Sequence, residues 1–397
     1  MERRKIQQKI GVLSLSTVTG AATGITSIIP MIATAYPTKQ LATIESLVTI
    51  SSLSALFTIL LNDRLTKKFG VRPVILSGLI LGTFAGIAPF FISNYLFFLV
   101  TRFILGLGIG LYSPHALALI SLLYSGEERT ALLGVQMGIS ALGNAILLLF
   151  SGWFASIHWT FTFFIYLFLG VIAFFIWRFV PDVVVPKEER TDKHQAVNKK
   201  VKMYLFLCFV TFLIIWGVQL KIPTYLVSRG FSSAKTAGTL LGLMNLSGMF
   251  AGLMFGSLYK RYKEFMLPIG FLGAAISVLG ILISTSWQMI FVWSLCFNFV
   301  YSFTGPAITL QVNQSALKNQ LTKVNSLIVT ATILSAYFAP YVWNFLTKMF
   351  YTAATVQQSL IILLCSLAAI GLFLFIYCVR NLHLSKVAKA NNSVCDE

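Results

Sequence analysis

Apolar stretches of about 20 residues or more recur along the whole of this 397-residue chain. A bilayer core of roughly 30 Å takes about 20 helical residues to cross, so each stretch is long enough to span one. The spans read from the sequence are 10–33, 41–61, 73–93, 95–122, 131–154, 160–180, 203–227, 236–258, 265–285, 287–310, 324–346 and 357–379. Backbone polar groups in lipid must be satisfied within their own segment, so these spans are predicted to be helices. The expected fold class is an all-α polytopic membrane protein of about 12 transmembrane helices in two six-helix bundles. A mean hydropathy of +0.82, with 57% hydrophobic and 11% charged residues, excludes an ordinary soluble domain.

The basic residues orient the bundle. With a cytoplasmic N-terminus, 24 of the 30 Lys and Arg fall in segments on the inner side. Only Lys39, Lys221, Arg229, Lys235 and Lys348 fall toward the outer side, and Arg102 lies within a span. Positive charge accumulates on the cytoplasmic side of membrane proteins, so an even number of helices with both termini inside is expected, in the cytoplasmic membrane. The net charge of +18 is then met by anionic lipid headgroups, at about 1 kcal/mol per base, and implies no nucleic acid. The first stretch is too long for a signal peptide and lacks a small-residue cleavage pattern, so it reads as a spanning helix. Cys208, Cys296, Cys365 and Cys378 sit in predicted helices and Cys395 in the tail, without a CxxC pair or a His/Cys cluster. No disulfide, metal site or cofactor is indicated.

The two halves repeat. At an offset of 193 residues, Leu65, Lys67, Lys68 and Phe69 correspond to Leu258, Lys260, Arg261 and Tyr262, and Pro30 corresponds to Pro223. Duplicated bundles are how many secondary transporters are built. The expected organisation is a first bundle over 1–180, a polar linker over 181–202, a second bundle over 203–380 and a tail over 381–397. A monomer is expected.

These loops resemble a signature of the major facilitator superfamily, Gly-x-Leu-x-Asp-Arg/Lys-x-Gly-x-Arg/Lys, aligned on Asp63 to Arg72. Leu65, Lys68, Gly70 and Arg72 match it, while Asp63 replaces the glycine and Lys67 the acid. In the second half Gly256, Leu258 and Arg261 match, and Lys260 again replaces the acid. Arg102, Gly106, Gly108, Gly110 and Pro114 are similar to the family's Arg-and-glycine fourth helix, and Gly126 to Arg129 resembles its next inner loop. Antiporter members often carry a Gly-Pro pair low in the fifth helix; here Gly143 is followed by Asn144. Independently of the family, the i,i+4 pairs Gly106/Gly110 and Gly134/Gly138 predict close helix contacts.

The resemblance implies two bundles rocking about a midplane site lined by the first, fourth, seventh and tenth helices. Those helices carry Thr23, Arg102, His115, Gln219, Lys221, Asn298 and Tyr301, with Gln136, Asn144 and Asn245 on their neighbours. These are the candidate cavity residues. Asp63, Lys67, Lys68, Gly70, Arg72, Arg129, Gly256, Lys260 and Arg261 are the candidate inner gate.

Of the 12 acids, only Glu45 reaches membrane depth. Intramembrane charge is costly and marks pathways, so Glu45, Arg102 and His115 are candidates for proton coupling. Glu45 and Arg102 lie at similar depth and are expected to pair, with protonation of Glu45 releasing Arg102. If Arg102 and Lys221 face the cavity, it suits a small organic anion; if neither does, a lipophilic compound. The function expected is secondary transport of a small organic solute, with protons and membrane lipids as possible partners. Proton-coupled efflux of lipophilic compounds is one form of it and movement of organic anions the other. A membrane enzyme would need a nucleophile, a metal cluster or paired carboxylates near the membrane, and a sensor an added domain; neither is visible.

Overall fold

The computed structural model describes residues 2–92, 94–181, 198–231, 233–317, 321–352 and 355–395; most of the expected linker and the last two residues of the tail lie outside them. The first bundle comprises α1 (Ile6–Ala35), α2 (Leu41–Phe69), α3 (Val71–Phe90), α4 (Tyr95–Leu123), α5 (Gly126–Ala155) and α6 (Trp159–Phe179). The second comprises α7 (Lys199–Ser228), α8 (Ala234–Tyr262), α9 (Met266–Ile283), α10 (Trp287–Ser315), α11 (Val324–Phe350) and α12 (Val356–Arg380). The apolar run Lys235–Ile283 is 49 residues long. As one helix it would reach about 74 Å, more than twice the bilayer core. It is instead broken at Lys263, where φ is 44°, into the two spans α8 and α9. Twelve helical crossings result among the described residues, in two bundles that follow the internal repeat.

Each bundle buries its own apolar core. The first is centred on residues such as Leu15, Leu47, Leu105 and Phe163, the second on Ile214, Leu240, Phe271 and Leu363. Leu220 of α7 joins the first core and Leu148 of α5 the second, so the bundles interlock through α5 and α7. Gly70 ends α2 at φ 88°, a conformation that only glycine adopts without strain, which explains its place in the loop.

Three of the spans expected to line a cavity are interrupted. α1 passes through short 3-10 turns at Leu15–Val18, Ala21–Thr23 and Thr26–Ile28. α4 breaks between Tyr112 and His115, at Pro114, and α10 between Tyr301 and Thr304. α7 stays continuous although Pro223 lies inside it. Discontinuous helices mark the sites of many transporters, because unwound backbone is tolerated in a membrane only where protein or a cavity surrounds it.

Glycine packing shows which ends of the bundles meet. A Cβ on Gly106 would strike the Ser51 carbonyl and the Ser54 hydroxyl, and one on Gly110 the Ala55 carbonyl and the Thr58 hydroxyl, so α4 lies directly on α2. Gly134 and Gly138 differ from expectation: nothing lies within 4 Å of a Cβ at either position. Gly252 and Gly256 of α8 are equally open. In the other halves of the same helices, Gly238 abuts Leu148 and Gly152, and Gly242 abuts Ala145 and Leu149. Thus α5 and α8 touch toward the ends away from the basic loops and stand apart near them. The close approach read for Gly134 and Gly138 is absent because their halves of α5 and α8 are splayed.

Candidate functional site

Neutral amides meet at mid-depth. Asn144 and Asn245 lie 11 residues from the ends of α5 and α8 opposite the basic loops. At 1.5 Å per residue that is about 17 Å, the middle of a bilayer core of roughly 30 Å. The Asn144 amide donates to Asn245 Oδ1 at 2.7 Å, joining the bundles, and accepts from the Thr23 hydroxyl at 3.1 Å. Gln219 of α7 donates to Asn298 Oδ1 of α10 at 3.0 Å, and Asn298 donates to the Met244 carbonyl of α8 at 2.5 Å. Asn298 is buried, whereas Thr23, Asn144, Gln219 and Asn245 keep part of their surface open. Thr23, Asn144 and Asn245 thus link the two bundles through uncharged groups, and Gln219 and Asn298 form a second neutral pair within the second bundle at similar depth; together they make an amide band.

Nearer the face opposite the basic loops, the charges combine differently from the expected Glu45–Arg102 pair. Lys221 Nζ lies 2.8 Å from Glu45 Oε1 and donates to Asn344 Oδ1 at 2.9 Å. Asn344 Nδ2 donates to Glu45 Oε2 at 2.7 Å. The Lys221 and Glu45 side chains are 1% and 0% exposed, so this triad of α2, α7 and α11 is a dry link between the bundles. Close by, Lys348 of α11 donates to Gln40 before α2 at 3.2 Å. Removing one member of a buried ion pair leaves an uncompensated charge, whereas removing both is often neutral.

Arg102 takes other partners. Its Nε donates to the Leu47 carbonyl at 3.2 Å, Nη1 to the Tyr166 hydroxyl at 2.5 Å and Nη2 to the Ala22 carbonyl at 2.8 Å. The face of α2 toward α4 is set by Ser51, Thr58 and Asn62, each of which donates to an α4 carbonyl. Glu45 lies six residues before Ser51, about 120° round the helix at 3.6 residues per turn, and so faces α7 and α11 instead. Arg102, fully buried, holds α1, α2, α4 and α6 together and does not line the amide band. We expect Tyr166→Phe to lower the thermal unfolding midpoint by removing one acceptor of that guanidinium, with a cost of about 1.5–3 kcal/mol for a hydrogen bond to a charged group.

The remaining cavity candidates lie elsewhere. The Tyr301 hydroxyl donates to the Thr211 carbonyl, and its ring stacks on Phe297 at 5.5 Å, which makes it a core residue of the second bundle. Gln136 is buried eight residues before Asn144 on α5, about 12 Å nearer the basic face. His115 is buried where α4 resumes after Pro114, with Nε2 3.5 Å from the Thr66 hydroxyl and Nδ1 unpartnered among the described residues. It lies some 20 residues, about 30 Å, from the Glu45 end of the bundle, so the three coupling candidates do not meet.

At the basic loops, Lys67 pairs with Asp63 at 2.7 Å within α2, and Lys9 of α1 with Glu128 of α5 at 2.6 Å. Arg72 donates to the Trp177 carbonyl of α6. Lys68, Arg129, Lys260 and Arg261 are exposed. The cross-bundle hydrogen bonds among the described residues run instead from the amide band to the opposite face. Asp63→Ala is expected to change stability by only about 0.2–0.5 kcal/mol, the value of an exposed i,i+4 pair, as measured by thermal unfolding.

Asn344 and Tyr166 were missed in the sequence. Asn344 follows Pro340 by one turn and donates to its carbonyl at 2.6 Å, and a proline inside a span was the available signal.

Twelve crossings in two bundles, with interrupted helices beside mid-depth polar groups and a charged link across one face, define a polytopic all-α membrane protein. The chain belongs to the Major Facilitator Superfamily, whose sequence model matches residues 12–340. It is 24% identical over 251 residues to a protein TsgA homolog of Buchnera aphidicola, covering 62% of this chain and 64% of that protein. It is 25% identical over 237 residues to an uncharacterized transporter of Rickettsia bellii, covering 56% and 57% respectively. The matches thus span less than two thirds of either relative. In fold it is similar to the inward-open xylose transporter XylE of E. coli, with a TM-score of 0.69 and 13% identity over 92% of this chain and 94% of that one. The POT family transporter PepTSo gives a TM-score of 0.74 at 9% identity, covering 94% of this chain and 98% of that one.

Proposed function

We propose that this chain moves a small, uncharged, hydrogen-bonding solute across the cytoplasmic membrane by alternating access, and that the Glu45–Lys221–Asn344 triad latches the external gate. The reading takes the basic loops as cytoplasmic, on the positive-inside rule. The state described is then open to the cytoplasm, like the inward-open state of one structural neighbour. What carries the substrate class is the neutral amide band together with the engagement of both candidate cations. Lys221 is neutralised by Glu45, and Arg102 is turned to carbonyls and a phenol, so neither offers a free charge to an organic anion.

Glu45 is the proposed coupling residue. A proton on its carboxylate removes the charge that holds Lys221 and weakens the closed external gate. His115, one bundle end away, has no route into this step. The test is uptake in proteoliposomes with and without an imposed pH gradient, using neutral polyhydroxylated and amide solutes, a carboxylate panel and a cationic dye. Gradient-driven uptake of a neutral solute, lost in Asn144→Ala and Asn245→Ala, is expected. Transport confined to carboxylates or to the dye would overturn the substrate class, and rates independent of the gradient would overturn the coupling.

A further inference from the structure

A cavity of about 480 Å³ opens at the basic-face end of the second bundle, between α7, α9, α10 and α12 and far from the amide band. Its interface end carries one acid and one base, Glu264 and Lys200, with the amides Gln311 and Gln314 beside them. Its inner limb is apolar, formed by Leu207, Val210, Phe206, Ile370, Phe373 and Leu374. Phe206 and Phe373 are both 68% exposed, so the limb opens sideways to the surrounding lipid. From Lys200 to Val210 is ten residues of α7, about 15 Å, or half of a bilayer core of roughly 30 Å.

Glu264 is placed here by a constrained turn. Lys263 just before it has φ 44° and ψ −118°, an uncommon conformation for a residue with a side chain and one that concentrates at functional positions. The thiol of Cys378 on α12 donates to the Glu264 carbonyl at 3.6 Å, tying the turn to the cavity wall. Although Lys260, Arg261 and Lys263 precede it, the Glu264 carboxylate makes no ion pair among the described residues.

We propose that this cavity binds one phospholipid of the adjoining leaflet with an ethanolamine headgroup. The ammonium donates to Glu264, the phosphate accepts from Lys200 and from the Gln311 or Gln314 amide, and one acyl chain follows α7 between Val210 and Leu374. The two charge signs select the head. A choline ammonium has no N–H to donate, and an anionic glycerol head presents no cation to Glu264. The proposal rests on the chain lying in a bilayer and is independent of the gate and of the transported solute.

The test is retention and stabilisation by defined lipids. The full-length protein is purified in detergent, and native mass spectrometry and thermal unfolding are followed with phosphatidylethanolamine, phosphatidylcholine, phosphatidylglycerol or soluble glycerophosphoethanolamine. Phosphatidylethanolamine is expected to be retained one to one and to raise the midpoint by several degrees. Glu264→Gln, on an exposed turn, is expected to lower retention at least tenfold with an unchanged midpoint in detergent alone. Val210→Trp, which fills the limb, should do the same. If Val210→Trp does not fold, Glu264→Gln decides alone. Equal retention of phosphatidylcholine or phosphatidylglycerol, unchanged retention in Glu264→Gln, or equal competition by glycerophosphoethanolamine would each overturn the proposal.

Discussion

Lys221→Met is expected to be the most damaging single change at the gate. It leaves the Glu45 carboxylate buried with only Asn344 as a partner, and such a loss destabilises the closed arrangement by about 3–5 kcal/mol. At 1.4 kcal/mol per tenfold, the closed external gate loses more than a hundredfold in population unless Glu45 takes up a proton. Ala237 is buried beside Pro30 and Val227 in the first turn of α8, at the same face as the gate, so its exposure reports opening of that face. In a background without native cysteines, Ala237→Cys should be alkylated by a polar maleimide at least tenfold faster when Lys221→Met is present. The double variant Glu45→Gln/Lys221→Met removes both charges and should return alkylation close to the starting rate, because neutral groups of similar shape replace a buried pair at little net cost. Transport driven by a pH gradient should stay lost in the double variant, which separates closing the gate from coupling it.

Two glycines to leucine separate folding from motion. Gly106→Leu drives a side chain into the Ser51 carbonyl and the Ser54 hydroxyl, and it disturbs the 2.8 Å hydrogen bond from Ser51 to the Arg102 carbonyl. Overpacking of this kind costs about 1–3 kcal/mol, and here the obstruction is rigid backbone, so the upper end or beyond is expected. Low yield and a depressed unfolding midpoint are the expected outcome. Gly134→Leu meets nothing within 4 Å and should fold with a midpoint near that of the parent. On the proposed cycle it should nevertheless slow transport by tenfold or more, because α5 and α8 would close over that surface when the cytoplasmic side shuts. Normal transport in Gly134→Leu would mean that the splayed halves never meet.

Much of the architecture was legible because lipid imposes it. Span length gave the twelve crossings, and the Asp63–Lys67 contact has the i,i+4 spacing of a helical ion pair. The spans 236–258 and 265–285 are separable in the sequence although the apolar run is continuous from Lys235 to Ile283, because the polar loop Lys260 to Glu264 divides it. The site was legible in its parts rather than in its pairing. Residue type and depth picked out Glu45, Lys221 and Arg102, but depth says nothing about rotation round the helix axis. Glu45 therefore looked suited to Arg102, whereas the stripe Ser51, Thr58 and Asn62 commits the other side of α2 to α4. Arg102's acceptors are mostly backbone carbonyls, which leave no mark in sequence. Asn344 lies 299 residues from Glu45, and Pro340 one turn before it marks a break in the span without naming the distant partner. Gly134 and Gly138 were misread for a further reason: small residues permit close approach without requiring it, and those halves stand apart.

On the proposed mechanism, the Glu45–Lys221–Asn344 link holds one end of the α2–α11 seam shut while the other end stands open. Spin-label distances along that seam test it most directly, with labels at Thr38 and Met349 on the external side and at Arg64 and Asn325 on the cytoplasmic side, all exposed positions. In Glu45→Gln, the Thr38–Met349 distance is expected to lengthen and the Arg64–Asn325 distance to shorten together. Distances that stay at their parent values, or that change in the same direction at both ends, would contradict the account.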